Sequence, residues 1–256
     1  MKDSTGTPRP ASVVAFAAMI KRPQRLLLIS TSTTHGTGYL DHCADQIQDL
    51  LGGLERVLFI PYALRDHDAY TAKARERYAR MGFELTSVHE ADDPVAAVRA
   101  TDALFIGGGN TFRLLARLYE KELLEPIRER VREGMPYVGT SAGSNVACVT
   151  IRTTNDMPIV QPPSFDALNL VPFNLNPHYL DPDPKSTHMG ETREERLLQF
   201  LEENDKIVVG LREGAMLRIE DTSVRLEGKA GARIFQRGQE PREFQSGAVL
   251  DFVLLS

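Results

Sequence analysis

Short continuous runs of apolar residues alternate with amphipathic stretches along the chain up to about residue 150. Runs of this length predict strands that are buried on both faces of a parallel sheet. The predicted strands cover residues 25–30, 56–60, 83–88 and 103–106, with a fifth that begins at residue 135 and ends at Ser141. Helical periodicity predicts helices over residues 40–51, 66–81, 95–100, 111–119 and 123–133. This alternation predicts an α/β fold with three layers, a doubly wound, mostly parallel sheet between helices.

The pattern changes after residue 150. Residues 151–188 are rich in Pro, Asn and Asp and show little periodicity, whereas residues 191–203 predict a charged amphipathic helix. From residue 206 onward, turn signals such as Glu213-Gly214 separate short apolar segments, which predicts an antiparallel C-terminal extension of the sheet. Because no linker or internal repeat is evident, we expect residues 25–256 to form a single domain. Residues 1–24 are expected to be an extension that is disordered or loosely docked.

Composition narrows the classes of partner. The 256 residues are 42% hydrophobic and 25% charged, which is typical of a soluble globular protein with a sizeable core. The net charge of −5 argues against nucleic acid as the main partner, because phosphate binding usually requires a basic excess. No apolar run reaches the ~18 residues that a membrane-spanning helix needs.

Two features bear on location. The two cysteines, Cys43 and Cys148, lie far apart and are expected to be reduced thiols, which favours the cytoplasm. The apolar stretch over residues 11–20 loosely resembles a short signal peptide, but basic residues follow it at once. We therefore predict a cytoplasmic protein.

The segment Gly139-Thr140-Ser141-Ala142-Gly143 is a G-x-S-x-G pattern directly after the fifth predicted strand. Glycines on both sides permit a sharp strand-to-helix turn, because a Cβ there would clash with the neighbouring strand and helix. Such a turn lifts the serine hydroxyl to the start of a helix, where negative charge is stabilised. The pattern therefore makes Ser141 a candidate nucleophile.

A catalytic serine needs a base within hydrogen-bond reach and a carboxylate that orients the base. His178 follows the apolar run over residues 170–175, and His35 follows the first predicted strand. Both therefore belong to the edge of the sheet where ligands bind in doubly wound folds, and His178 is the better candidate because Pro177 fixes its approach. From the pattern alone, three carboxylates remain open as the orienting acid: Asp156, Asp166 and Glu213.

The loop Gly107-Gly108-Gly109-Asn110 follows the fourth predicted strand and has two interpretations. It would serve as an oxyanion hole if its glycines let a backbone N–H approach the reacting carbonyl oxygen. It would otherwise be a phosphate-binding turn or a plain tight loop. Nucleotide binding is disfavoured, because the G-x-G-x-x-G spacing and the Walker lysine are both missing.

A second group of polar residues has side chains that suit a metal ion. Its members are His178, Asp181, Asp183, His188 and Glu191. However, no H-E-x-x-H helix is present, and Pro182 and Pro184 favour an extended rim loop. We therefore expect no metal at this segment.

Six segments, taken in order, resemble those of the peptidase E family, family S51 of the serine peptidases. They are Gly-Gly-Gly-Asn-Thr (107–111), Gly-Thr-Ser-Ala-Gly (139–143), Ile-Arg-Thr-Thr-Asn-Asp-Met-Pro-Ile-Val (151–160), Phe-Asp-Ala-Leu-Asn-Leu (165–170), Asn-Pro-His (176–178) and Gly-Glu-Thr-Arg-Glu (190–194). The resemblance spans roughly residues 25 to 250. It implies a fold similar to that of class I glutamine amidotransferases, with serine in place of cysteine at the sharp strand-to-helix turn, which we call the elbow. The implied activity is that of an α-aspartyl dipeptidase, with no metal or cofactor.

The resemblance also implies the catalytic roles. Ser141 would be the nucleophile, His178 the general base and Asp156 the orienting acid. Glu213 matches another acidic position of the family and is the alternative third member.

The resemblance further implies the groups that bind the substrate. Gly109 and Ala142 would supply the N–H groups of the oxyanion hole. Arg193 would bind the β-carboxylate of an N-terminal aspartate, with Asn110 as a second substrate-binding residue. The implied partner is a short peptide with an N-terminal aspartate, and a homodimer is the candidate assembly.

Two other functions stay open. One is a cyanophycinase-like peptidase that acts on Asp-Arg polymers. The other is an inactive, amidotransferase-like binding module.

Overall fold

A computed structural model describes residues 24–185, 187 and 189–255. Its strands are β1 (Arg25–Ile29), β2 (Arg56–Ile60), β3 (Glu84–Ser87), β4 (Ala103–Ile106), β5 (Tyr137–Thr140), β6 (Asn174–Pro177), β7 (Val208–Leu211), β8 (Ala215–Glu220), β9 (Ser223–Gly228), β10 (Ala232–Phe235) and β11 (Arg242–Phe244). Its α-helices are α1 (Ala44–Leu51), α2 (His67–Arg80), α3 (Pro94–Ala100), α4 (Thr111–Glu120), α5 (Leu124–Arg132), α6 (Ala142–Asn145) and α7 (Arg193–Glu202). The prediction for residues 1–24 lies outside the described residues, except for Gln24, whose side-chain amide donates to the carbonyl of Leu170.

The main sheet has seven strands in the order β3-β2-β4-β5-β1-β8-β9. The first five strands of the chain pair in parallel, as predicted, and β8 and β9 add to one side in antiparallel orientation. Strand β4 and strand β5 are neighbours. The glycine-rich loop after β4 and the serine turn after β5 therefore leave the sheet side by side at its carboxyl edge.

Alternate residues of β1 face opposite layers of the core. Leu26 and Leu28 pack in a cluster that includes residues of α4 and α5, whereas Leu27 and Ile29 pack against α1 and α2. This alternation follows from the two-residue period of a strand. It confirms the predicted three-layer arrangement of helices on both faces of a sheet.

The C-terminal strands divide between two sheets. The second sheet has four strands in the order β11-β10-β7-β6. Within it β6 and β7 run parallel, whereas β10 pairs with β7 and β11 in antiparallel orientation. The predicted antiparallel extension is thus confirmed for β8 and β9, and the remaining strands form a separate layer.

Helix boundaries follow the local chemistry. Asp93 caps α3 by accepting hydrogen bonds from the N–H groups of Val95 and Ala96, and Pro94 occupies the first turn, where no N–H is needed. The predicted helix over residues 40–51 begins later, because Leu40 has a left-handed φ of 57° and Asp41–Cys43 form a 3₁₀ turn before α1. Within the described residues, no helix is both long and apolar enough to cross a membrane.

Candidate active site

Ser141 lies on a strained turn between β5 and α6. Its backbone has φ 51° and ψ −109°, and its N–H donates to the carbonyl of Ile29. A Cβ on Gly139 would lie 2.6 Å from the carbonyl oxygen of Gly143, and a Cβ on Gly143 would collide with the carbonyl of Ile106. The two glycines of the pentapeptide therefore let the turn close against its own helix and against β4, as the pattern predicts.

His178 lies directly after β6 and faces Ser141. Its Nε2 is 2.9 Å from Oγ of Ser141, so the two side chains share a hydrogen bond. The backbone of His178 has a left-handed φ of 54°, and its N–H donates to Oγ of Ser30 at 2.9 Å. Because Ser30 in turn donates to the carbonyl of Leu211, the turn that carries His178 is fixed to both sheets.

Glu213 lies beside His178 at the end of the neighbouring strand. Strands β6 and β7 are parallel, so the residues that follow them leave the second sheet at one edge. Oε1 of Glu213 is 2.7 Å from Nδ1 of His178. An ionised carboxylate only accepts hydrogen bonds, which assigns the ring proton to Nδ1 and leaves Nε2 as the acceptor for the serine hydroxyl.

The structure places Asp156 elsewhere. Its Oδ2 accepts hydrogen bonds from the N–H and from Oγ1 of Thr111, at 2.7 and 2.6 Å. Thr111 is the first residue of α4, whose N–H groups lack partners within the helix and attract a carboxylate. Within the described residues Asp156 shares no hydrogen bond with His178. Of the two acids proposed to orient the base, Glu213 therefore contacts His178 and Asp156 contacts Thr111.

The segment around Asp156 covers the open edge of β6. Thr153 donates through its hydroxyl to the carbonyl of Leu175 at 2.7 Å. The side-chain amide of Asn155 donates to the carbonyl of Pro177, also at 2.7 Å. These bonds give partners to backbone carbonyls on the edge of the sheet, where no neighbouring strand supplies donors; the carbonyl of Leu175 also accepts from the side-chain amide of Asn145. They also fix the last residues of β6, which lead directly to His178.

Two backbone N–H groups, one after β4 and one after β5, lack a protein acceptor among the described residues. They belong to Gly109 and to Ala142, the two groups that the sequence resemblance assigns to the oxyanion hole. Within the triplet, Gly107 donates its N–H to the carbonyl of Ile60, whereas Gly109 keeps a donor without a protein acceptor among the described residues.

Asn110 is engaged within the protein. Its Oδ1 accepts from the N–H of Arg113 and caps α4, and its Nδ2 donates to the carbonyl of Met157 at 2.8 Å. Both polar groups of the side chain thus have protein partners. Through these two bonds Asn110 holds the loop that carries Gly109.

Arg193 is the first residue of α7 and is half-buried. Burial lowers the pKa of its guanidinium, as does the nearby Arg196, while the charge of Asp156 opposes the shift. Among the residues that the structure describes, Arg193 takes part in no ion pair. It borders a cavity of ≈ 350 Å³ that Leu180, Asp181 and Thr192 also line. A half-buried arginine without a carboxylate partner is suited to bind one from a ligand.

The remaining sequence candidates lie apart. His35 is exposed, and Asp166 accepts no hydrogen bond from any described histidine. Among the residues considered as metal ligands, Asp181 accepts hydrogen bonds from Arg212, and Asp183 accepts one from the N–H of Lys185. His188 lies outside the described residues. Within the described part of the chain, no three His, Cys, Asp or Glu side chains are arranged to hold a metal ion.

Sequence reasoning missed the residues that hold this geometry. Ser30 anchors the backbone of His178, and Thr111 binds Asp156. Arg212 precedes Glu213 and pairs with Asp181, three residues after His178. Their only sequence signal is their position at a strand end or at a helix start, and that signal does not specify a partner.

Comparison with known proteins agrees with this architecture. Residues 26–227 match the model of peptidase family S51. The chain is 56% identical over 229 residues to a peptidase E of Streptomyces coelicolor, covering 90% of this chain and 94% of that protein. It is 50% identical over 234 residues to a probable alpha-aspartyl dipeptidase of Drosophila melanogaster, covering 90% of this chain and 98% of that protein.

Solved structures share the fold. A peptidase from an acI-B1 actinobacterium superposes with a TM-score of 0.69 at 19% identity, covering 89% of this chain and 96% of that one. A putative peptidase E of Listeria monocytogenes superposes with a TM-score of 0.61 at 22% identity, covering 80% and 98% respectively. At these identities the likeness concerns the arrangement of strands and helices.

Proposed function

The chain belongs to peptidase family S51, a family of serine peptidases, and we propose that it hydrolyses dipeptides with an N-terminal aspartate through Ser141, His178 and Glu213. The observation that carries the proposal is the bridge of His178 between the Ser141 hydroxyl and the Glu213 carboxylate. A serine, a base and an orienting acid within hydrogen-bond reach are the groups that acyl transfer requires. The names of the two relatives, peptidase E and alpha-aspartyl dipeptidase, support the same substrate class.

The reaction would proceed through an acyl-enzyme. Ser141 Oγ attacks the carbonyl carbon of the Asp-X bond while Nε2 of His178 accepts its proton. The N–H groups of Gly109 and Ala142 donate to the carbonyl oxygen as it becomes negative, which is where such donors contribute most. His178 then returns the proton to the leaving amine. Water, deprotonated by the same imidazole, hydrolyses the ester and restores Ser141.

Each of the other charged groups has a place in this proposal. Glu213 keeps the proton on Nδ1 and stabilises the imidazolium that forms in the transition state. Arg193 receives the β-carboxylate of the substrate, because it is half-buried and carries no ion pair among the described residues. Asp156 fixes the start of α4, and with it the loop of Gly109. The location we propose is cytoplasmic, in keeping with two buried cysteines that form no disulfide.

Hydrolysis of Asp-Leu, compared with Glu-Leu and Ala-Leu, tests the proposal. We expect turnover of Asp-Leu, little turnover of the other two and no effect of a chelator. Ser141→Ala should abolish turnover, and a fluorophosphonate should label wild-type protein at Ser141. If the protein is labelled but leaves Asp-Leu intact, Ser141 is an activated serine and the proposed substrate class is wrong. Cleavage of Asp-Arg polymers into Asp-Arg fragments would then favour the cyanophycinase-like alternative, whereas unlabelled protein would favour the binding module.

A further inference from the structure

Five charged side chains of alternating sign form a continuous series of ion pairs that adjoins the His178–Glu213 pair. In order they are Asp181, Arg212, Glu243, Arg233 and Glu194, and we refer to them as the Arg212 network. Each contact is 3.0 Å or shorter. Nothing in the catalytic steps described above requires these residues, so their arrangement needs its own explanation.

One end of the network holds the two segments that carry the base and the acid. Arg212 immediately precedes Glu213, and Asp181 lies three residues after His178. Nε and Nη2 of Arg212 donate to the two oxygens of Asp181 at 2.7 and 2.6 Å, a bidentate contact. A bidentate contact fixes orientation as well as distance. It therefore ties the segment that follows β6 to the segment that follows β7, at the place where Glu213 must meet His178.

The other end reaches the helix that carries Arg193. Nη1 and Nη2 of Arg212 also donate to Glu243 at 3.0 Å. Glu243 accepts from Arg233, and Arg233 donates to Glu194 at 3.0 Å. Glu194 is the residue after Arg193 in the first turn of α7. The same chain of ion pairs thus ends beside the proposed substrate-binding arginine.

Tyr179 fills the space between the two ends. Its ring packs so closely on β7 that a Cβ on Gly210 would lie 2.8 Å from it, and its hydroxyl donates to Glu194 at 3.3 Å. The guanidinium of Arg212 lies over the same ring, 5.6 Å from its centre. Because Tyr179 adjoins His178 in the chain, the network and the ring together restrain the backbone segment that carries His178.

The chemistry of the network requires arginine at position 212. The side chain is only 22% exposed and binds two carboxylates at once. The hydrogen bonds that it donates to Asp181 and Glu243 raise the pKa of its guanidinium, so the charge is permanent. Lysine would supply the charge but not the planar set of donors that matches two carboxylates.

We propose that Arg212 is a positioning residue that holds Glu213 against His178, and that Arg233, at the other end of the same network, sets the start of α7 through Glu194. The proposal rests on the catalytic and binding roles proposed above. The two carboxylates that Arg212 binds are largely open to solvent, Asp181 being 50% and Glu243 41% exposed, and ion pairs screened in this way contribute little to stability. The expected consequence of breaking them is therefore one of geometry. A displacement of about 1 Å of a catalytic group costs up to about 10²-fold in rate.

Arg212→Lys tests the catalytic end, because it keeps the charge and removes the bidentate contact. With Asp-Leu as substrate we expect kcat to fall roughly 10- to 100-fold and KM to stay within about 3-fold. The matched control is Arg218→Lys on β8. Arg218 is 16% exposed and also binds two carboxylates, those of Asp49 and Glu220, but it has no contact with the network. The control should keep wild-type kcat.

Arg233→Lys tests the other end and should give the opposite signature. Loosening Glu194 displaces Arg193, so we expect KM for Asp-Leu to rise about 5- to 10-fold while kcat changes less than about 3-fold. A general loss of stability would alter neither parameter selectively. Asp181→Asn breaks the bidentate contact from the other partner and replaces Arg212→Lys in the test if that variant does not fold.

A readout that does not depend on substrate separates this proposal from the proposed function. In proton NMR, the Nδ1–H of a histidine bonded to a carboxylate gives a downfield signal, which His178→Gln would assign. We expect that signal in wild type and in Arg218→Lys, and its loss in Arg212→Lys. Wild-type protein that leaves Asp-Leu intact would refute the proposed function, and the signal would still decide the role of Arg212. An Arg212→Lys variant that keeps the signal, or keeps the kcat of the control, would overturn the positioning role.

Discussion

Glu213 Oε1 lies 2.7 Å from Nδ1 of His178, although the two residues are 35 positions apart in the chain. The contact exists because β6 and β7 are parallel neighbours whose ends coincide. His178 is 37% exposed and Glu213 57% exposed, so the pair lies at the rim of the protein and not in its core. An acid in this position acts by holding the imidazole and its tautomer.

Glu213→Gln should remove most of the activity. Glutamine can keep the contact but can donate to Nδ1, which stabilises the wrong tautomer and leaves Nε2 unable to accept the serine proton. In serine peptidases a change of this kind lowers kcat by about 10⁴-fold, and we expect roughly 10³- to 10⁴-fold with Asp-Leu. The exposed Glu240→Gln serves as control and should match wild type. Near-normal kcat in Glu213→Gln would remove Glu213 from the reaction.

Asp156→Ala should act mainly on structure. It leaves the N–H and hydroxyl of Thr111 without their acceptor, and loss of a helix cap costs about 1–2 kcal/mol. Urea denaturation should record this loss, and kcat should fall less than in Glu213→Gln. If Asp156→Ala reached the residual rate of Glu213→Gln with unchanged stability, Asp156 and not Glu213 would be the orienting acid.

The strand pattern predicted most of the fold. Continuous apolar runs identified β1 to β5, because a strand buried on both faces leaves a strong local signal. The elbow was equally local, since the clashes that demand Gly139 and Gly143 arise within a few residues of Ser141. The sequence also assigned His178 to a strand end, where the structure has it.

The contact between Glu213 and His178 could not be predicted in this way. Glu213 follows a strand-like segment and Asp156 lies in an aperiodic one, and which of them meets His178 depends on which strands pair in the second sheet. The pairing of short strands is set by tertiary packing that no local periodicity records. For the same reason the sequence does not predict the ion pairs of Arg212. Its two partners, Asp181 and Glu243, are each 31 residues away in opposite directions.

Gly109→Ala should impair the oxyanion hole. Gly109 has φ 138°, a region that residues with a Cβ rarely adopt, and an added Cβ would lie 2.7 Å from the carbonyl oxygen of Ala63. The backbone must shift, and its N–H then no longer points at the carbonyl oxygen of the substrate. We therefore expect kcat to fall about 10²- to 10³-fold. Gly53→Ala is the control, because a Cβ there meets nothing within 4 Å. Equal rates for the two variants would place the donor elsewhere.

Arg193→Ala should remove the preference for aspartate. A charge-assisted hydrogen bond contributes about 1.5–3 kcal/mol, so kcat/KM for Asp-Leu should fall roughly 10- to 150-fold, mainly through KM. Any slow turnover of Ala-Leu should be unchanged, since that substrate has no β-carboxylate. Arg132→Ala, at the exposed end of α5, should leave both rates as they are. An equal loss on both dipeptides would show that Arg193 supports the fold and does not select the substrate.

Neither cysteine should react in the native enzyme. Burial raises the pKa of the Cys43 thiol to about 12 and that of the fully buried Cys148 thiol further still. Only a thiolate is an effective nucleophile, so at pH 8 iodoacetamide should leave both thiols unmodified and the activity intact, whereas protein unfolded in urea should be modified at both. Mass spectrometry of the intact chain counts the added groups. Rapid modification of folded protein with loss of activity would mean that a thiol takes part in the reaction, which would contradict the assignment of Ser141 as its nucleophile.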